Sequence, residues 1–166
     1  MPSEPKHYNV LFLCTGNSAR SIMAEAILNA KGDPHLTAYS AGSHPALRVR
    51  SEALQQLQAA GIASGNLRSK SWDEFAVPDA PKMDFVFTVC DNAAYEVCPV
   101  WPGHPMTAHW GFPDPAAVSG SPDNIQCAYR EAFLALDRRI SLFLALPLLT
   151  LDNLALQSQI DGIGKQ

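Results

Sequence analysis

The run Tyr8–Leu13, nearly all apolar in its second half, passes through the six residues Cys14–Ala19 into a segment whose apolar members recur at helical spacing. A strand with apolar residues on both faces has to be covered on both. A helix that begins one short loop later covers one of them. The opening of the chain is therefore a β–loop–α unit, with Tyr8–Leu13 a central strand of a parallel sheet. Ile22, Met23, Ala26, Ile27 and Ala30 form one face of the helix, and Gly32 and Pro34 end it.

The rest of the chain repeats the alternation. Leu36–Ala41 reads as a second strand, and Ser51–Ala60, carrying Leu54 and Leu57 and closed by Gly61, as a second helix. Ser71–Phe75 is a short helical turn before the breakers Pro78 and Pro81. Phe85–Val89 is the third strand and Thr107–Trp110 a short fourth. From Asn124, the residues Ile125, Tyr129, Ala132, Phe133, Leu136, Ile140 and Phe143 mark a long amphipathic helix that Pro147 stops or kinks. Leu151–Ile160 reads as a short helix on the surface. The fold class is α/β, a three-layer arrangement in which a four-stranded parallel sheet is flanked by helices. At 166 residues, one domain spans 1–166, with 147–166 a peripheral C-terminal extension.

Composition excludes several classes of function. Twelve Lys and Arg against sixteen Asp and Glu give a net charge of −4, the wrong balance for a nucleic-acid surface. The longest apolar stretch, Leu142–Leu149, is broken by Pro147 and is too short to span a bilayer. The segment MPSEPKH lacks the basic-then-apolar pattern of a secretory signal. A cytoplasmic, monomeric protein with no membrane contact is expected. Its four cysteines, Cys14, Cys90, Cys98 and Cys127, are then thiols unless they do chemistry. No cysteine or histidine pair has zinc-ligand spacing, so no metal site is expected. His44, His104 and His109 read as loop residues, Trp101 and Trp110 as packing residues, and Cys127 as an incidental thiol.

The chemistry concentrates in Val10–Ser21, where Cys14 and Arg20 stand six positions apart across the strand-to-helix loop. A thiolate attacks at neutral pH only when its pKa is depressed. A helix N-terminus, converging N–H groups and a guanidinium all lower it and also hold a tetrahedral oxyanion. Arg20 supplies a planar two-point clamp, Gly16 allows a tight turn, Ser21 can donate to the Cys14 thiolate, and Asn17 can brace the loop from within. Thr15, Gly16, Asn17, Ser18, Ala19, Arg20 and Ser21 thus form the expected anion-binding loop. Ligands of open parallel sheets sit at the carboxyl ends of strands. Cys14 closes the first strand, Cys90 the third, and Asp114 follows the fourth in HWGFPDPA, where its carboxyl can protonate a leaving oxygen. Asp123 reads as a helix cap.

CTGNSARS, SAGSHP at Ser40–Pro45, LRSKSWDEF at Leu67–Phe75, TVCDNAAYEVCPVWPG at Thr88–Gly103 and HWGFPDPA at His109–Ala116 together resemble arsenate reductases built on the low-molecular-weight tyrosine phosphatase fold. The resemblance implies a relay of three thiols. Cys14 attacks arsenate while Asp114 protonates the departing oxygen, Cys90 resolves the adduct with release of arsenite, and Cys98 takes over Cys90. It also implies no bound cofactor, and an external thioredoxin-like or glutaredoxin-like (glutathione-linked) reductant as partner. Ala19 stands where the family often has a second cysteine. Some relatives hold potassium behind the loop. Here Asn17, Glu25 and Ser40 are available, but Lys70 stands in the region of the usual carboxylate, so bound potassium is not expected.

Two other readings use the same residues. A phosphatase acting on phosphotyrosine or small phosphoesters needs Cys14, Arg20 and Asp114 but neither distal cysteine. A thiol sensor needs the cysteines and leaves Asp114 and the anion loop without a role.

Overall fold

A computed structural model of the chain describes residues 7–32, 34–89, 105–111, 113–148 and 152–165. The four expected strands, β1 (Tyr8–Cys14), β2 (Leu36–Gly42), β3 (Phe85–Thr88) and β4 (Met106–His109), form one sheet in the order β2-β1-β3-β4. Every pairing is parallel. β4 begins and ends one residue earlier than its expected span. Trp110 continues the ladder by donating its N–H to the Thr88 carbonyl at 2.7 Å.

Among the described residues the helices are α1 (Arg20–Ala30), α2 (Ser51–Ala59), α3 (Pro122–Leu144) and α4 (Asn153–Ile163). Gly32 and Gly61, at φ of 70° and 75°, turn the chain out of α1 and α2 in a conformation that a side chain would strain. α3 begins two residues before its expected start because Ser121 is its cap, accepting from the Asn124 N–H at 3.2 Å with Pro122 in the first turn. Asp123 is therefore a first-turn acid favoured by the helix dipole, and the cap lies two residues upstream. α3 ends at Leu144, ahead of Pro147.

β1 divides the core by alternation. Val10, Phe12 and Cys14 face a large cluster with α1, α2, α3 and α4, whereas Leu11 and Leu13 face a smaller one with Phe75, Met83 and Val86. The second cluster is covered by the 3₁₀ turn Trp72–Phe75. In the first, Phe87 stacks on Trp110 with ring centroids 4.0 Å apart, and both meet Phe143 edge-on.

The C-terminal helix departs from expectation. Read as a surface element over Leu151–Ile160, it is a core element whose residues Leu156, Ile160 and Ile163, spaced by four and three, are buried in the large cluster. Asp152 caps it by accepting from the Ala155 N–H at 2.8 Å. Among the described residues, no helix is long and apolar enough to cross a membrane.

Ile160 is fully buried, so Ile160→Ala is expected to cost about 2–4 kcal/mol in urea unfolding. A loss below about 0.5 kcal/mol is the surface-helix result and would contradict this packing.

Candidate active site

The strand order changes direction at β1, with β2 on one side and β3 and β4 on the other. Such a point leaves a crevice at the carboxyl ends of the strands. Cys14, buried and in register with Gly42, is the last residue of β1 at that edge.

The loop that follows is shaped by bonds to its carbonyls. The Thr15, Gly16 and Ser18 oxygens accept from the N–H groups of His44, Ala46 and Arg50, each at 2.9 Å. The Ser69 hydroxyl also donates to the Gly16 oxygen, at 3.1 Å. In a trans peptide the N–H points opposite to the C=O. With these carbonyls drawn toward the 43–50 segment, the N–H groups of Gly16, Asn17 and Ala19 are turned the other way. Gly42 permits the close approach, since a Cβ there would overlap the Thr15 carbonyl oxygen and press on Asn17.

Asn17 is the internal brace. It is fully buried with φ of 46°, the left-handed region that asparagine tolerates better than most residues. Its Nδ2 donates to Ser21 Oγ at 2.8 Å, and its Oδ1 accepts from the Lys70 N–H at 2.9 Å. Ser21 Oγ thus serves as an acceptor and keeps its own hydroxyl proton to donate. α1 opens directly after the loop. Its N-cap, Ala19, has no side chain that accepts from the first-turn N–H groups, which suits that end to an anion.

Arg20, the first residue of α1, is largely buried, and its Nη2 lies 3.5 Å from Oδ2 of the half-exposed Asp114. Two of the three separated stretches expected at the site, the loop with its guanidinium and the segment that carries the acid, therefore converge. Cys90 and Cys98 lie outside the described residues, as do Trp101 and His104. The last residue before Cys90, Val89, donates its N–H to the Leu13 carbonyl at 2.8 Å. His44 contributes its backbone N–H. The His109 ring meets Thr88 Oγ1 at 2.7 Å through Nδ1, and Trp110 is a core residue. Cys127 is exposed on α3, with Sγ 3.7 Å from Glu131 Oε1.

Behind the loop, Lys70 Nζ stands 3.7 Å from Glu25 Oε1 and donates to the Arg68 carbonyl at 2.9 Å. Ser40 Oγ donates to the same carboxylate oxygen at 2.9 Å. Burial pushes the Glu25 carboxyl up from its ordinary value, opposed chiefly by the Lys70 charge. It pulls the Lys70 ammonium down, opposed chiefly by Glu25. The chain thus supplies its own cation at Glu25. Among the described residues, no group of three or more His, Cys, Asp or Glu is placed to hold a metal ion.

Gly42, Ser69 and the main chain of 43–50 were absent from the expected site. The stretches SAGSHP and LRSKSWDEF, which contain Gly42 and Ser69, are the signals in the sequence that point to them.

The arrangement can hold a tetrahedral oxyanion against a thiol, with an acid beside the guanidinium. The profile of a family described as low molecular weight phosphotyrosine protein phosphatase matches residues 9–151. An arsenate reductase of Halalkalibacterium halodurans is 34% identical over 134 residues, 81% of this chain and 93% of the relative. The crystal structure of an arsenate reductase from Archaeoglobus fulgidus superposes with a TM-score of 0.61 at 30% identity, covering 79% of this chain and 94% of that one. A low molecular weight protein tyrosine phosphatase from T. tengcongensis superposes with a TM-score of 0.58 at 25% identity, covering 81% and 95%.

Removing one member of a buried ion pair strands the other. Lys70→Met is expected to lower stability by on the order of 3 kcal/mol in urea unfolding. It should also move the Glu25 carboxyl further up in a ¹³C NMR titration, because the charge that opposes burial is gone. A Glu25 titration that stayed in place would refute the pairing.

Proposed function

The chain belongs to the low molecular weight phosphotyrosine protein phosphatase family, and on that premise we propose that it reduces arsenate to arsenite with Cys14, Cys90 and Cys98 as a thiol relay. One observation carries the reading. Val89 and Leu13 are hydrogen-bonded across adjacent strands, and the residues that follow them are Cys90 and Cys14. Leu13 is in register with Thr88, so the described part of this strand pair ends one residue short of Cys90 on one side and at Cys14 on the other, and a disulfide between the two would require Cα atoms within about 7 Å. The 34% identity to an arsenate reductase over most of its length supports the same reading.

In the first step the Cys14 thiolate attacks arsenic in an oxyanion held by Arg20 and the loop N–H groups of Thr15–Ser21. One arsenic–oxygen bond breaks, and the oxygen leaves as water after taking a proton from Asp114. Cys90 then attacks Cys14 Sγ. The electron pair of the sulfur–arsenic bond passes to arsenic, which departs as As(III), and a Cys14–Cys90 disulfide remains. Cys98 attacks Cys90 Sγ, freeing Cys14 as a thiolate and forming Cys90–Cys98. An external thioredoxin-like or glutaredoxin-like dithiol returns that disulfide to thiols. The two electrons that arsenic gains are those lost in disulfide formation, so no bound cofactor is required.

Phosphate has no corresponding two-electron step. A phosphoester would engage only Cys14, Arg20 and Asp114, and the likeness to the T. tengcongensis phosphatase favours that second reading. Reduced protein mixed with stoichiometric arsenate under argon separates the two. Loss of two thiols with arsenate and none with phosphate is the reductase result, and disulfide mapping by mass spectrometry gives the extent of the relay. Unchanged thiols in both samples leave the phosphatase.

Cys14→Ser is expected to abolish both arsenate reduction and phosphoester hydrolysis. Cys90→Ser should abolish reduction and spare hydrolysis, and parent-level arsenate turnover in this variant would end the relay. Asp114→Asn is expected to slow both reactions by about a hundredfold through loss of the proton donor.

A further inference from the structure

The connection that brings Asp114 to Arg20 leaves β4 through Trp110 and Gly111, and both are gripped by residues outside the anion loop. Arg139 of α3 is 7% exposed, and its Nη1 donates to the Trp110 carbonyl at 2.6 Å and reaches the Gly111 carbonyl at 3.4 Å. On the other side, the Trp110 indole N–H donates to the Ile160 carbonyl of α4 at 3.0 Å. Gln157 Nε2 donates to the Thr107 carbonyl at 2.8 Å. Gly164, just past α4, approaches so closely that a Cβ there would overlap the His109 carbonyl oxygen and lie 2.8 Å from Trp110 Cδ1. α4 lies beyond the residues matched by the family profile.

A buried guanidinium is costly, and desolvation pulls Arg139 below its ordinary pKa. A hydrocarbon side chain would fill the space without that cost. What the guanidinium adds is a grip on two consecutive carbonyls at the exit of β4. Only residues 112 and 113 separate them from Asp114. Beyond Asp114 the chain is again held, because its carbonyl accepts from the Ala117 N–H at 3.1 Å and Pro115 is buried.

We propose that Arg139 is a positioning residue for Asp114. By holding the Trp110 and Gly111 carbonyls against the wall that α4 builds, it sets where the acid stands over Arg20. The proposal rests on Asp114 being the proton donor, a role common to arsenate reduction and phosphoester hydrolysis. A displacement of about 1 Å in such a group is enough to cost up to a hundredfold in rate.

Aryl phosphates that differ in leaving-group basicity read this role in the full chain. In Arg139→Met, kcat/KM for phenyl phosphate should fall about tenfold while that for 2,4-dinitrophenyl phosphate stays within about twofold, since only the poor leaving group needs the acid. Inhibition by inorganic phosphate should be unchanged, because Arg20 and the loop are intact. Arg139→Lys, which keeps a donor, should recover part of the loss. In an Asp114→Asn background, Arg139→Met should add nothing, because the two act as one unit. Equal slowing of both esters, or a loss that persists in Asp114→Asn, overturns the proposal.

Amide hydrogen exchange covers the case in which the Met variant does not fold. In Arg139→Lys, exchange across 110–118 should quicken while 14–21 keeps its protection, and unchanged exchange across 110–118 also overturns the proposal. Parent protein that hydrolyses neither ester and loses no thiols to arsenate counts against the proposed function instead, and the exchange comparison still decides the role of Arg139.

Discussion

Three carbonyl oxygens, those of Thr15, Gly16 and Ser18, are bonded from outside the loop by the N–H groups of His44, Ala46 and Arg50, and the rest of the site depends on that constraint. Peptide planarity converts an outward carbonyl into an N–H on the opposite side. The direction in which these N–H groups point is thus imposed by a second segment. Gly42 makes the approach possible, and Asn17, held at positive φ by Ser21 and the Lys70 main chain, locks the loop from inside. A preformed cradle of this kind binds without first ordering its own backbone.

The charges are arranged in two tiers. Arg20 and the N-terminus of α1 face the crevice, with Asp114 beside the guanidinium. Behind the loop, Lys70 and Glu25 neutralise each other, assisted by Ser40. Burial opposes the ionised form of both members, so each depends on the other to remain charged. The main chain of Lys70 also donates to Asn17, which couples this pair to the loop above it. A protein of net charge −4 in this way keeps a guanidinium at the crevice while the Lys70 charge behind it is offset by Glu25.

Rigidity at the other end of the crevice comes from aromatic packing. Phe12, Phe85, Phe87, Trp110 and Phe143 interlock beneath β3 and β4. Trp110 also carries polar bonds at its N–H, its carbonyl and its indole nitrogen. It is both a core residue and the hinge from which the acid-bearing connection departs. The family-matched part of the chain supplies the strand, and α4 supplies the partner for the indole.

Much of the fold could be read from periodicity, because strands and helices with a buried face reveal their period directly. β1, α1 and β2 were legible to within two residues at each end, as were α2 and β3. So was the loop Cys14–Ser21, because a thiol, a glycine and an arginine at that spacing have few other uses. Asp114 was legible from its place after the fourth strand, which the parallel topology carries to the same edge. The Ser121 cap was missed because Asp123 and Asn124 beside it carry the same local signal. α4 was misjudged as a surface helix because nothing local tells which part of the core its apolar residues join, and packing against the large cluster that holds Trp110 supplies their partner. The 43–50 main chain, Ser69 and Arg139 act on backbone groups of distant segments, and nothing in their own side-chain pattern names the peptide they bond. The sequence by itself determined the parallel α/β architecture and the chemical groups at its edge, since both follow from local pattern and side-chain identity. Tertiary structure alone decided which peptide groups turn toward the crevice and what holds Asp114 over Arg20, because those depend on contacts between segments dozens of residues apart.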